Sequence, residues 1–166
     1  MGVAKAVDQT VVKPEGKYLT FSLAKEEYGM VIVKIKEIIG MMPITTVPRT
    51  PLFIKGVVNL RGKVIPVVDL RLKFGMEEIP YTERTCIIVV EIAGPANTVP
   101  MGIVVDSVSE VLNIQGSDIE ETPDFGAQLD TKYILGMAKI NGGVKILLDI
   151  DKVIGPEEAP VLDKVA

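Results

Sequence analysis

Hydrophobic and polar residues alternate along several short stretches of the chain, each bounded by glycine, proline or charged residues. In Lys17–Leu23, leucine and phenylalanine alternate with tyrosine, threonine and serine, which predicts a strand. Ile35, Ile38 and Ile39 instead stand at helical spacing before Gly40, which predicts one short helical turn. The further predicted strands cover residues 29–33, 55–60, 63–70, 84–92, 98–106, 108–114, 132–140 and 144–150.

Two of these strand pairs are joined by glycine-containing turns and predict hairpins. Gly62 and Gly142 would supply the positive φ that a tight hairpin turn requires. Asp69 and Asp149 each end a strand and can cap the helical turn that follows.

The two hairpins belong to an internal repeat. Gly56–Gly75 aligns with Gly136–Gly155 without a gap, and Gly29–Ile39 aligns with Gly102–Leu112. Each half alone is too short for a robust core, so the halves are expected to pack or interleave around a groove. The predicted class is therefore all-β with a few short helices.

Arg61 departs from the repeat, because its counterpart is Asn141, which serves a turn equally well. The fold therefore does not require arginine there. Arg61 is open to three interpretations: a solvated loop residue, a catalytic cation or a partner-binding residue. Glu37, within a run of isoleucines, is either a solvated position or a partner of Arg61 at the groove.

Composition excludes several classes of function. The 166 residues are 48% hydrophobic and 5% aromatic, with a net charge of −4 and scattered basic residues, which argues against nucleic acid as a partner. No apolar run approaches the ~18 residues of a membrane span, and the first residues lack the apolar region of a secretory signal. A single cysteine fits a reducing cytoplasm.

The usual chemistry of active sites is also missing. The sequence has no histidine, which removes the commonest general base and argues against a metal site, and no cofactor is expected. Cys86 opens an apolar strand and is interpreted as a small buried hydrophobe. The adjacent carboxylates Glu26/Glu27 and Glu120/Glu121 are interpreted as solvated surface.

Four segments carry a resemblance to a known family. They are "YLTFSLAKEEYGMVIVKIKEIIG", "VPRTPLFIKGVVNLRGKVIPVVDLRLKFG", "MGIVVDSVSEVL" and "GMAKINGGVKILLDIDKVI". Together they resemble the CheW family, the coupling proteins of bacterial chemotaxis. The same module occurs in the kinase CheA and in CheV, and a stand-alone CheW is the expectation, because neither a kinase nor a receiver domain accompanies it.

The resemblance implies a fold of two interleaved, five-stranded, SH3-like β-barrels related by internal duplication. The implied domain covers residues 17–155. One subdomain would combine residues 17–80 with 146–155 and the other would cover residues 84–145. A flexible leader (1–16) and a flexible or short helical tail (156–166) would flank them.

The resemblance also implies function and sites. The family is non-catalytic and couples the cytoplasmic tip of methyl-accepting chemoreceptors to CheA at the inner face of the cell membrane, without inserting into it. The implied receptor-binding residues are Ile35, Glu37, Arg61, Val108 and Val111. The implied kinase-binding residues, at the end of the first barrel, are Phe53, Ile54 and Gly56.

Three alternatives stay open. An enzyme would use loop carboxylates such as Glu120, Glu121 and Asp124, in a pocket that shifts their pKa. A small-molecule-binding β-barrel would need a cavity of sufficient size. The chain could also be the regulatory module of another sensory kinase pathway.

Overall fold

The computed structural model describes residues 15–93, 97–122 and 132–154. Eleven strands and two short α-helices make up most of this part of the chain, joined by 3-10 helical turns at Ile32–Lys34 and Gly116–Asp118. The helices are α1 (Leu70–Lys73) and α2 (Ile150–Val153). The strands are β1 (Gly16–Leu23), β2 (Glu26–Val31), β3 (Ile35–Gly40), β4 (Ile54–Leu60), β5 (Lys63–Asp69), β6 (Cys86–Ala93), β7 (Thr98–Val105), β8 (Ser107–Ile114), β9 (Ile119–Glu120), β10 (Ile134–Ile140) and β11 (Gly143–Leu148).

The strands form two sheets, and each sheet combines strands from both halves of the chain. One sheet has the order β8-β1-β2-β11-β10-β9 and the other β3-β6-β7-β5-β4. The predicted all-β class and the interleaving of two halves are confirmed. The larger sheet has six strands rather than the expected five, because the two-residue β9 adds to the edge of β10.

The internal repeat is visible in the strand register. A register shift interrupts the first hairpin between Ile54 and Gly56, and the second between Ile134 and Gly136. In each half the last hairpin strand runs parallel to a strand that contains a repeated glycine: β5 pairs with β7 and β11 with β2. The two halves of the internal repeat therefore share the same pattern of strand pairing.

The sheets do not follow the predicted subdomain bounds. The prediction separated residues 17–80 from 84–145, whereas β3, β4 and β5 share a sheet with β6 and β7. The reason is that three pairings join strands that are distant in sequence: β3 pairs with β6, β5 with β7, and β8 with β1. The predicted subdomains are packed units rather than sheets, so strand pairing alone does not test their bounds, which stay a prediction.

The helical turn predicted at Ile35–Ile39 is wrong. These residues form β3, in which partly buried and exposed positions alternate and Ile38 faces solvent. Isoleucine is β-branched and favours strands, and pairing with β6 satisfies the backbone of this segment. The helical turn in this region lies earlier in the chain, as the 3-10 turn at Ile32–Lys34.

Valine, isoleucine and leucine fill the interior. The largest cluster of buried side chains draws on both sheets and on both helices, and includes Phe21, Met30, Ile88, Leu148 and Val153. Smaller clusters lie under each hairpin. Because the main cluster is shared by the sheets, hydrophobic burial holds the two halves together.

The predicted caps are present in both halves. The Asp69 carboxylate accepts hydrogen bonds from the backbone N–H groups of Arg71 and Leu72, and the Asp149 carboxylate accepts one from Lys152. Asp69 is buried, and it also accepts a hydrogen bond from the Tyr81 hydroxyl at 3.2 Å. These bonds fix the start of α1 and α2 at the ends of their hairpins.

Three predictions lie wholly or largely outside the described residues. They are the flexible tail at 156–166, the role of Asp124, and most of the leader at 1–16, of which only residues 15 and 16 are described. Gly16, assigned to the leader, opens β1. In the part of the chain that is described, no helix is long and apolar enough to cross a membrane.

Candidate functional site

The tip of the β4–β5 hairpin presents Arg61 to solvent. Arg61 and Gly62 form the two-residue turn, with φ of 53° and 84°. The Gly62 N–H donates a hydrogen bond to Asn59 Oδ1 at 2.8 Å, which holds the turn closed. A left-handed backbone is uncommon for arginine. The conformation of the turn therefore does not depend on the Arg61 side chain, which is 68% exposed.

Arg61 forms an ion pair with Glu37 on β3. The Arg61 Nη2 donates a hydrogen bond to Glu37 Oε2, and this bond, together with the charge of Glu37, raises the pKa of the Arg61 guanidinium. The pair connects the hairpin tip to the opposite edge strand of the same sheet. It fixes a permanent positive charge at one place on the surface.

A shallow hollow of about 200 Å³ lies beside the ion pair. Its apolar floor is provided by Leu60, Ile65, Val89 and Pro100. Lys36 and Lys63 join Arg61 and Glu37 around it, so three cations and one carboxylate surround apolar surface. This arrangement suits a partner that brings an apolar side chain and a carboxylate together.

The other implied receptor residues lie on two strands. Ile35 on β3 and Val108 on β8 are partly buried and pack against the same main core from the two sheets. Val111, also on β8, is 51% exposed. The structure thus brings Glu37 and Arg61 into contact and places Val108 and Val111 on the edge strand of the other sheet.

The implied kinase residues differ in exposure. Phe53 is partly buried, and the Lys73 Nζ lies 4.4 Å from the centre of its ring. Ile54 is 5% exposed and belongs to the main core. Gly56 is buried, and a Cβ atom built there would stand 2.0 Å from the Thr45 carbonyl oxygen. Ile54 and Gly56 therefore offer a partner little side-chain surface.

Sequence reasoning missed Leu52, which is 90% exposed next to Phe53. Val33, on the 3-10 turn ahead of β3, is a second strongly exposed hydrophobic residue that it missed. Pro48 and Pro51 mark the loop that carries Leu52, and two prolines near a bulky apolar residue were the available signal. The exposure itself depends on packing of distant strands.

The carboxylates considered for catalysis are held by neighbouring groups. Glu27 accepts hydrogen bonds from the hydroxyls of Ser22 and Ser109, and Glu120 forms an ion pair with Lys139. Cys86, expected to be buried, is only partly so, and its thiol donates to the Arg84 carbonyl at 3.1 Å. Among the described residues, no group of three histidine, cysteine or acidic side chains could hold a metal ion.

Comparison with known proteins agrees with this architecture. The family model described as the CheW-like domain matches residues 17–158. Chemotaxis protein CheW of Klebsiella aerogenes is 40% identical over 164 residues, which cover 99% of this chain and 95% of that protein. Chemotaxis protein CheW of Thermotoga maritima is 33% identical over 154 residues, covering 91% and 94%.

A solved structure is similar as well. The scaffolding protein TtCheW from Thermoanaerobacter tengcongensis superposes with a TM-score of 0.76 and 36% sequence identity, covering 87% of this chain and 95% of that one. The two-sheet fold and these relatives define a chemotaxis scaffold rather than an enzyme. The chain belongs to the CheW-like family.

Proposed function

We propose that this protein couples methyl-accepting chemoreceptors to the histidine kinase CheA. It would act in the cytoplasm, at receptor arrays on the inner face of the cell membrane. Membership of the CheW-like family supports an adaptor, and the surface around Arg61 supports a receptor contact. An adaptor of this kind controls the kinase only through contacts that favour one of its conformations.

The observation that carries the proposal is the Arg61–Glu37 pair beside an apolar hollow. Arg61 adopts a backbone conformation that does not favour arginine, and its charge serves neither the turn nor the core. A receptor tip is a helical hairpin, which can place an apolar anchor in the hollow and a carboxylate on the guanidinium. Ile35, Val108 and Val111 would extend this receptor surface along the two edge strands.

The kinase contact is proposed for the surface around Phe53. Ile54 and Gly56 would support it from beneath, because both are buried. Leu52 adds exposed apolar surface beside Phe53, and the Lys73 ammonium lies 4.4 Å from the centre of the Phe53 ring. An exposed aliphatic residue next to a partly buried aromatic one is a suitable anchor for a protein interface.

The test is a titration of the purified protein with a soluble fragment of a receptor tip, repeated with Arg61→Glu. Asn141→Glu is the matched control, because it places glutamate in the same turn position of the equivalent hairpin. We expect Arg61→Glu to lose at least about tenfold in affinity, or about 1.4 kcal/mol, while Asn141→Glu binds like the native chain.

A second titration uses the regulatory domain of CheA, which both variants should bind normally. Equal receptor binding by the native chain and Arg61→Glu would remove Arg61 from the proposed surface and leave the coupling role in place. A native chain that binds neither the receptor tip nor CheA would overturn the coupling role. The hollow beside Arg61 is smaller than the ~300–1,000 Å³ of ligand pockets, which disfavours a small-molecule site at this place.

A further inference from the structure

The chain passes from one sheet to the other at Asp106, between β7 and β8, and a cluster of hydrogen bonds holds it there. The Arg71 guanidinium donates from Nε and Nη2 to the two oxygens of Asp106, both at 2.8 Å. The backbone N–H of Ala24, in the β1–β2 turn, donates to the same carboxylate at 2.9 Å. One carboxylate therefore joins α1, the β1–β2 turn and the start of β8.

The second passage between the sheets, from β2 to β3, has a corresponding arrangement. The Lys34 Nζ lies 2.7 Å from an oxygen of Asp151 on α2. The backbone N–H of Ala93, at the end of β6, donates to the other oxygen of Asp151 at 2.9 Å. Here the helix provides the carboxylate and the connection provides the cation.

Arg71 and Asp151 occupy the same position in the repeat, since 56–75 aligns with 136–155. The charges are exchanged between the halves, yet both pairs join a short helix to a connection between sheets. Two different ion pairs at equivalent places indicate that the fold requires an ion pair at each passage between the sheets. We call the Arg71–Asp106 and Lys34–Asp151 pairs the crossing ties.

Each crossing tie lies directly before a strand of the proposed receptor surface. Lys34 is followed by β3, which carries Ile35 and Glu37. Asp106 is followed by β8, which carries Val108 and Val111. Both strands lie at the edge of a sheet, where only one neighbouring strand holds them.

We propose that the crossing ties are positioning elements for the receptor surface. They set the starting points of β3 and β8, and thereby the relative placement of the receptor residues on two different sheets. The four tie residues act without touching the receptor. This inference rests on the proposed function, because it assigns a purpose to the placement of those strands.

The experiment compares Asp106→Asn with Lys34→Met. The first removes the charge that Arg71 pairs with, and the second keeps the aliphatic stem and removes the ammonium group. Hydrogen exchange of backbone amides is followed in the native chain and in both variants. We expect the increase in exchange rate to be at least about tenfold larger in β8 than in the β4–β5 hairpin for Asp106→Asn, and at least about tenfold larger in β3 than in that hairpin for Lys34→Met.

Titration with the receptor tip fragment is the second readout. Each variant should bind about three- to tenfold more weakly than the native chain, with binding to the CheA regulatory domain changed by less than about twofold. Lys34→Arg keeps the charge and should bind like the native chain. Glu120→Gln removes an ion pair away from both passages and should change neither readout.

Leu148→Ala controls for a general loss of stability, because it makes a cavity in the main core on β11. Faster exchange spread evenly over all strands in the tie variants, as expected for Leu148→Ala, would overturn the inference. Unchanged receptor affinity despite faster exchange in β3 and β8 would also overturn it. If the native chain fails to bind the receptor tip, the proposed function is wrong. Unchanged exchange in β3 and β8 of the variants would independently overturn the positioning role of the crossing ties.

Discussion

Arg61 and Asn141 hold the same left-handed backbone conformation at the tips of two equivalent hairpins, with φ of 53° and 52°. Each is followed by a glycine of positive φ, as a tight hairpin turn requires. Asparagine is several-fold enriched in this conformation, whereas arginine is not. The two hairpins therefore form the same turn with different residues, Arg61 in one and Asn141 in the other. Of these two residues, only Arg61 forms an ion pair with Glu37.

Replacing Arg61 with asparagine should leave the fold intact, because the second hairpin already uses asparagine at this position. We expect the free energy of unfolding to change little, since exposed ion pairs contribute little to stability. Urea denaturation of the native chain and Arg61→Asn measures this. A clear fall in the urea midpoint of Arg61→Asn would mean that the Arg61–Glu37 pair holds the sheet together.

Exchanging the charges distinguishes a direct contact of Arg61 from a structural one. In the double variant Arg61→Glu/Glu37→Arg the ion pair can form again with its partners reversed. We expect receptor binding to stay at least about tenfold weaker than in the native chain, because a guanidinium that is 68% exposed has donors available to a partner's carboxylate. Titration with the receptor tip fragment measures it.

The controls for the charge exchange are the two single variants. Both leave one charge without its partner and should bind at least as weakly as the double variant. Restoration of native affinity in the double variant would contradict a direct contact. It would assign the pair the role of holding the hairpin tip against β3.

Local features of the fold were readable from the sequence because they depend on neighbouring residues. The Arg61–Gly62 turn and the Asp69 cap are each set within a few positions of the chain, and the structure contains both. The helical turn predicted at Ile35–Ile39 failed because β6, some fifty positions away, pairs with that segment. The spacing of neighbouring residues carries no information about a pairing strand so distant in the chain.

The candidate site was readable to the same extent. Glu37 and Arg61 stood out because one lies among isoleucines and the other breaks the repeat, and the structure brings them into contact. Leu52 escaped notice because apolar residues are common throughout this sequence, and only packing decides which are exposed. Burial of Ile54 and Gly56 likewise follows from the fold as a whole.

The two aspartate caps should differ in their contribution to stability. Asp69 is buried and accepts hydrogen bonds from two backbone N–H groups and from Tyr81, whereas Asp149 is less buried and accepts one from the Lys152 N–H at 3.4 Å. We expect Asp69→Ala to cost about 2–3 kcal/mol and Asp149→Ala about 1 kcal/mol. Urea denaturation of both variants measures the difference, and an equal cost would contradict it.

Acid should weaken the Arg71–Asp106 tie. Burial disfavours the charged form of Asp106, but the hydrogen bonds from Arg71 and from the Ala24 N–H, with the charge of Arg71, hold its pKa below the ordinary value. A carboxylate with a lowered pKa in the folded state stabilises the fold above its unfolded pKa, about 3.9. That stability is lost as the pH falls through the folded pKa.

Asp106→Asn removes this titration and isolates it from the other carboxylates. At pH 7 we expect the variant to be less stable than the native chain by about 1–3 kcal/mol, because the Arg71 guanidinium loses a charged partner. As the pH falls below about 4, the unfolded chain takes up a proton at Asp106 before the folded chain does, so the two proteins should converge in stability as the pH falls towards the lowered pKa of the folded state. Urea midpoints measured for both proteins from pH 7 down to pH 3 provide the test. A stability difference that stays constant over this range would show that Asp106 has the same pKa in the folded and unfolded chain, and that the tie depends on shape rather than charge.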